Sequence, residues 1–71
     1  MRRQREKGYW EKRAEHFKDS ATAGQRAAVL RSHGTGRVAH VLVEGEKGEF
    51  VVQYSVAKEY LEELRRAGIA L

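Results

Sequence analysis

Apolar residues recur along this chain in two rhythms. From about Gly8 to Asp19, Trp10, Ala14, Phe17 and Ala21 fall at i, i+4, i+7 and i+11. That spacing predicts one face of a helix, with Lys12, Arg13, Glu15 and Lys18 on the other faces. Glu11, Glu15 and Asp19 follow one another at four-residue steps, so charge pairing within such a helix is poor. Its packed face must then supply most of its stability. Ser20 or Thr22 is placed to cap a second helix over roughly 22–32, with Ala23, Ala27 and Leu30 on one face. His33-Gly34 marks its end, glycine supplying the left-handed residue.

The rhythm then changes. Residues 37–44 and 49–54 predict two strands, and Gly45-Glu46-Lys47-Gly48 between them is hairpin chemistry, with Gly48 available for a positive φ. Neither strand alternates cleanly. Val41 and Val43 point one way, Val38 and Leu42 the other, so the hairpin asks for cover on both faces. Ser55 is placed to cap a last helix over 56–67, lined by Val56, Tyr60 and Leu64 and closed by Gly68. Glutamates early and arginines late in that helix suit its dipole. Ile69 and Leu71 are expected to fold back onto it.

The expected fold class is therefore α+β, a small single domain in the order α-α-β-β-α, with a two-stranded antiparallel hairpin packed by helices. A lone two-stranded sheet is marginal. Its free edges invite pairing with a copy of the same chain, so the expected assembly is a homodimer whose sheet extends across the interface. Residues 1–7 form a basic N-terminal arm and 8–71 the domain.

Composition limits what such a domain can do. Seventy-one residues make one domain at most, and without cysteine no disulfide or thiolate metal site staples it. With 41% hydrophobic and 34% charged residues the chain is globular rather than disordered in composition. No apolar run approaches a membrane span and no secretory signal is evident, so the expected location is cytoplasmic, away from membranes. A sequence pI near 9.8 favours anionic partners.

That charge is not evenly spread. The first eighteen residues hold seven Lys and Arg against three Glu, an excess equal to the chain's whole net charge of +4. Arg2, Arg3, Arg5, Lys7, Lys12, Arg13 and Lys18 are the candidate phosphate contacts. Tyr9 lies off the helical stripe and is the candidate stacking residue, whereas Trp10 on the stripe reads first as core.

Other motifs have simpler explanations. His16, His33 and His40 are seventeen and seven residues apart, which matches no compact metal site, and no metal or cofactor is expected. His33-Gly34-Thr35-Gly36-Arg37 has the composition of a phosphate cradle, yet it follows a helix and precedes a strand, so no helix N-terminus faces the anion. Ser55-Val56-Ala57-Lys58 matches the Ser-x-x-Lys nucleophile pattern, but its companion motifs are missing and a helix cap explains the serine. Tyr60–Ile69 is similar to the close of a winged-helix recognition helix, and a sheet followed by a terminal helix is similar to a double-stranded-RNA-binding domain. The wing, the third strand and the lysine-rich helix opening are missing, so neither family is assigned. Catalysis is not expected.

The expected function is a small basic nucleic-acid-binding module, regulatory or accessory, that contacts DNA or RNA phosphates through its arm and first helix. Such contacts fix position without reading sequence. The alternative is a protein–protein interaction module, an adaptor, inhibitor or assembly subunit. It would dock through the Trp10/Phe17 helix face or add its hairpin edge to a partner's sheet.

Overall fold

A computed structural model describes residues 9–71. It is a small α+β domain in the order β1 (Trp10–Phe17), α1 (Ser20–Arg31), β2 (Val38–Glu46), β3 (Glu49–Ala57) and α2 (Lys58–Ala67). The three strands form one antiparallel sheet in the order β1-β3-β2. α1 carries the chain from β1 to β2, leaving room for β3 to insert between them, a split β-α-β arrangement. The arm, residues 1–7, lies outside the described residues.

The first expected helix is a strand. Trp10 pairs with Ala57 and Phe17 with Phe50, so β1 runs along the whole of β3. Three local features explain the correction. Glu11, Glu15 and Asp19 repel along a helix face. Tyr9, Trp10 and Phe17 favour a pleated surface. Asp19 also starts α1 itself, which ends any element before it. Its side chain accepts from the Thr22 N–H at 2.8 Å and from the Thr22 hydroxyl at 2.9 Å. The cap is thus Asp19, one residue before Ser20 and three before Thr22. The apolar stripe of α1 is as read: Ala23, Ala27 and Leu30 are all fully buried.

Both helices pack on the same face of the sheet. By the two-residue period of a strand, that face carries Phe50, Val52, Tyr54 and Val56 of β3. Val52 and Val56, with Leu30 and Val38, are the largest fully buried side chains. Phe17, Val41, Phe50, Tyr60, Leu61 and Leu71 close the margins of this core. Two alanines at the helix–sheet contact let the α1 backbone approach β2 and β3 closely.

The hairpin turn is Lys47-Gly48, with φ of +46° and +78° and Glu46 paired with Glu49. Two positive φ values in a two-residue loop are what the strand twist requires of a type I′ turn. Gly48 meets that need without strain. β2 then departs from a simple ladder. Ala39 pairs with Ser55 and Leu42 with Gln53, so His40 and Val41 together face the single residue Tyr54. This is a β-bulge, and His40 takes a left-handed φ of +58° to make it.

Ser55 does not cap a helix. It lies inside β3, which runs to Ala57, and α2 begins at Lys58 with no side-chain cap. The Lys58 N–H instead donates to the Tyr9 carbonyl at 3.1 Å, so the residue just before β1 supplies part of the cap. The other end is as expected. Gly68 is left-handed at φ +74°, and the Ile69 N–H reaches back to the Leu64 carbonyl at 2.9 Å. Of the two tail residues, Leu71 packs on the core and Ile69 stays exposed.

The hairpin's need for a neighbour is met within the chain. β1 makes β3 the central strand, and the ground for expecting a second copy at that edge falls away. The outer edge of β2 is also blunted, since the Arg31 guanidinium donates to the Val41 carbonyl at 3.2 Å beside the bulge.

Candidate nucleic-acid interface

The face of the sheet away from the helices is uncovered by any element among the described residues. β1 presents Trp10, Lys12, Ala14 and His16 there, and β3 presents Val51, Gln53 and Ser55. Val51, Ser55 and Ala57 are buried on this side by their cross-strand neighbours rather than by a helix. A shallow depression of about 350 Å³ lies over it, lined by Lys12, His40, Leu42, Gln53 and Ser55 among others. The bulge aims the His40 ring at Trp10, edge to face at 6.4 Å between centroids. Tyr9 extends this aromatic row, 5.3 Å from Trp10 at an interplanar angle of 78°.

Among the described residues, the sequence-predicted contacts do not share one surface. Arg2, Arg3, Arg5 and Lys7 lie outside the described residues. Tyr9 is held by its hydroxyl, which donates to Glu59 at 2.8 Å. Lys12 stands on the open face. Arg13 is on the helix side, paired with Glu11 at 2.9 Å. Lys18 follows β1 at its far end, roughly 26 Å from Trp10 at the usual strand rise. Trp10 and Phe17 are an odd number of residues apart on a strand, so they point to opposite faces, and no Trp10/Phe17 helix face exists.

Position along the sheet therefore matters more than position on a helix. β1 begins, β2 begins and β3 ends at one side of the molecule. Lys12, Arg37 and Lys58 stand at or near that side, where the described residues begin at Tyr9. The opposite end carries Glu44, which accepts from the Gln53 amide at 3.2 Å, and Glu49, which pairs with His16. Residues 9–71 hold ten Lys and Arg against nine Asp and Glu, a net of +1, so residues 1–8 hold four bases against one acid, +3.

A second polar cluster lies on the helix side. The Arg26 guanidinium donates to both carboxylate oxygens of Glu15, at 2.8 and 3.1 Å, and to the Leu71 carbonyl at 2.8 Å. The Tyr54 hydroxyl donates to the same carboxylate. β1, α1, β3 and the tail are thus joined through one guanidinium. Arg26 holds the Glu15 carboxyl below its ordinary range, with help from Tyr54 and against partial burial. Burial pushes the Tyr54 hydroxyl up, and the neighbouring Glu15 adds to this. Each of these groups is satisfied by another, which is the signature of a structural tie.

A pH dependence follows from Glu15. Its folded pKa is depressed, so its stabilisation is present above the unfolded value near 4.3 and is lost as pH falls through the folded value. Glu15→Gln should lower stability by about 1 kcal/mol at neutral pH, where the pair is partly exposed. It should also flatten the acid limb below pH ~4.5. Urea midpoints of both proteins at neutral pH and between pH ~4.5 and 3 check this.

The loop 33–37 is a connection whose polar groups serve the fold. The Gly34 carbonyl accepts from the N–H groups of Arg37 at 3.0 Å and Val38 at 2.9 Å. His33 Nδ1 and the Tyr60 hydroxyl are 2.6 Å apart, and the Arg37 guanidinium lies 5.3 Å over the Tyr60 ring. His16, His33 and His40 stand on a strand end, a loop and a bulge. Among the described residues no three His, Asp or Glu gather as metal ligands. No helix of the described residues is long and apolar enough to cross a membrane. Comparison with protein-family models, curated proteins and solved structures gives no match.

Sequence reasoning missed His40, Leu42 and Gln53 as surface candidates. Gln53 sits at the only polar position in the run Phe50–Tyr54, a signal available in the sequence. The bulge at His40 left no such signal, since its register is set by β3.

Proposed function

We propose that this protein is a small basic nucleic-acid-binding module of regulatory or accessory type, with its N-terminal arm supplying phosphate contacts at the Trp10 end of the sheet. The charge distribution carries the reading. A segment of eight residues holds +3 of the chain's +4, and it directly precedes Tyr9 and β1, whose Lys12 stands on a face that no described element covers. The contacts lie on the arm and on β1 rather than on a helix. Arg2, Arg3, Arg5, Lys7 and Lys12 are the proposed phosphate contacts, Tyr9 flanks them, and Arg13 and Lys18 stand apart. Fluorescence anisotropy of the full chain against labelled single-stranded DNA, RNA and duplex tests the reading. Binding with Kd of roughly 1–100 μM near 0.15 M salt is expected. Binding confined to low salt would remove the proposal.

A second reading, docking on a protein partner, rests on β2. Leu42 and Val43 are 53% and 39% exposed on an edge strand. A partner strand or a second copy of this chain would cover them. The bulge and Arg31 stand against strand addition there.

A further inference from the structure

The open sheet face carries an inference that rests on the proposed function and specifies its ligand. We infer that the nucleic acid is single-stranded, and that one of its bases lies on this face against His40, in the depression shared with Lys12, Leu42, Gln53 and Ser55.

Three observations lead there. His40 is a non-glycine residue held at φ +58° by the bulge, and such a conformation costs free energy that glycine at the same place would avoid. What the bulge gains is placement: the imidazole ring stands exposed on the open face instead of following the pleat. The depression combines apolar surface from the half-exposed Leu42 with the Gln53 amide, one of whose N–H groups donates to Glu44. The second N–H and the carbonyl of that amide are partners for the hydrogen-bonding edge of a base, and stacking on an aromatic ring suits any base.

Charge favours one end of this face for the backbone. Lys12 stands on the face near Trp10, with Arg37 and Lys58 at or near the same end, and residues 1–8 place +3 in the chain just before Tyr9. The far end mixes Lys18 and Lys47 with Glu44 and Glu49. Phosphates are therefore placed at the Trp10 end, with bases directed across the face. A duplex keeps its bases stacked inside and cannot deliver one to a shallow sheet face without unpairing, whereas a single strand can. Arm contacts alone would bind both forms. The face is what distinguishes them.

His40→Gly is the decisive variant, because glycine accepts the left-handed backbone while removing the ring. The probes are a short oligothymidylate and a duplex of equal phosphate count, read by anisotropy and by the fluorescence of Trp10, the chain's one tryptophan. The expected result is tighter binding of the single strand than of the duplex, with a change in Trp10 emission. His40→Gly should weaken single-strand binding roughly tenfold, leave duplex binding unchanged, and keep Tm within about 5 °C. Gln53→Ala, at an exposed position with no special backbone, should act in the same direction and covers the case of a misfolded glycine variant. Equal binding of both probes, unaffected by either variant, would overturn the inference and leave the arm reading standing. No binding of either probe would overturn both.

Discussion

Leu30→Ala should abolish the cooperative thermal transition of this protein or lower its Tm by at least ~10 °C. Leu30 is fully buried where α1 meets β2 and β3, beside Val38, Val52 and Val56. The other two residues of the buried stripe are alanines, so Leu30 supplies most of the apolar volume that the helix contributes. Truncating a buried leucine costs about 2–5 kcal/mol, through lost transfer free energy and the cavity left behind. A domain of this size without disulfide or metal rarely has more than ~3–5 kcal/mol in hand. The two figures are comparable, and unfolding is the consequence. Val29→Ala is the matched control. Val29 is the preceding residue of the same helix but is half exposed, and its loss should cost less than ~0.5 kcal/mol. Circular dichroism melts of the two variants check the assignment. Similar losses at both positions would mean that α1 packs by another face.

The second large effect concerns binding. Replacing Arg2, Arg3 and Arg5 together with alanine removes three of the four bases in residues 1–8. Each phosphate contact to a single strand contributes roughly 0.7 to the log–log salt slope, so three contribute about 2. At 0.15 M salt this corresponds to a loss on the order of 50-fold in affinity. The fold should be untouched, because the core, the turn and the helix caps all lie within residues 9–71. A melt of the variant that overlays the wild type separates loss of binding from loss of structure.

How far the sequence disclosed this protein depends on whether an element is set by local or distant chemistry. Ala23, Ala27 and Leu30 announced the buried side of α1, Gly48 the hairpin turn, and Gly68 the end of α2. Each follows from a neighbour-level rule. β1 was hidden for a definite reason. Its helix-side positions are Glu11, Arg13, Glu15 and Phe17, so three of four residues facing the helices are charged. Glu15 is tolerated there because Arg26, eleven residues on, and Tyr54, thirty-nine residues on, satisfy it. No local pattern records those partners, and the accidental spacing of Trp10, Ala14 and Phe17 matched a helix instead. Ser55 was misplaced for a related reason. A serine before an apolar run reads as a cap, but here β3 continues through it and the Tyr9 carbonyl serves α2. The bulge at His40 depends on β3 for its register and was equally invisible. As for the candidate site, the basic arm was legible as charge, whereas the face it joins became visible only when β1 was paired.

We propose that residues 1–8 hold the phosphate contacts of a nucleic-acid-binding surface. The most direct test is a salt series of anisotropy titrations with a single-stranded oligonucleotide, comparing the wild type with R2A/R3A/R5A. Straight log–log plots are expected, with a slope shallower by about 2 in the variant. Identical slopes and affinities in the two proteins would contradict it.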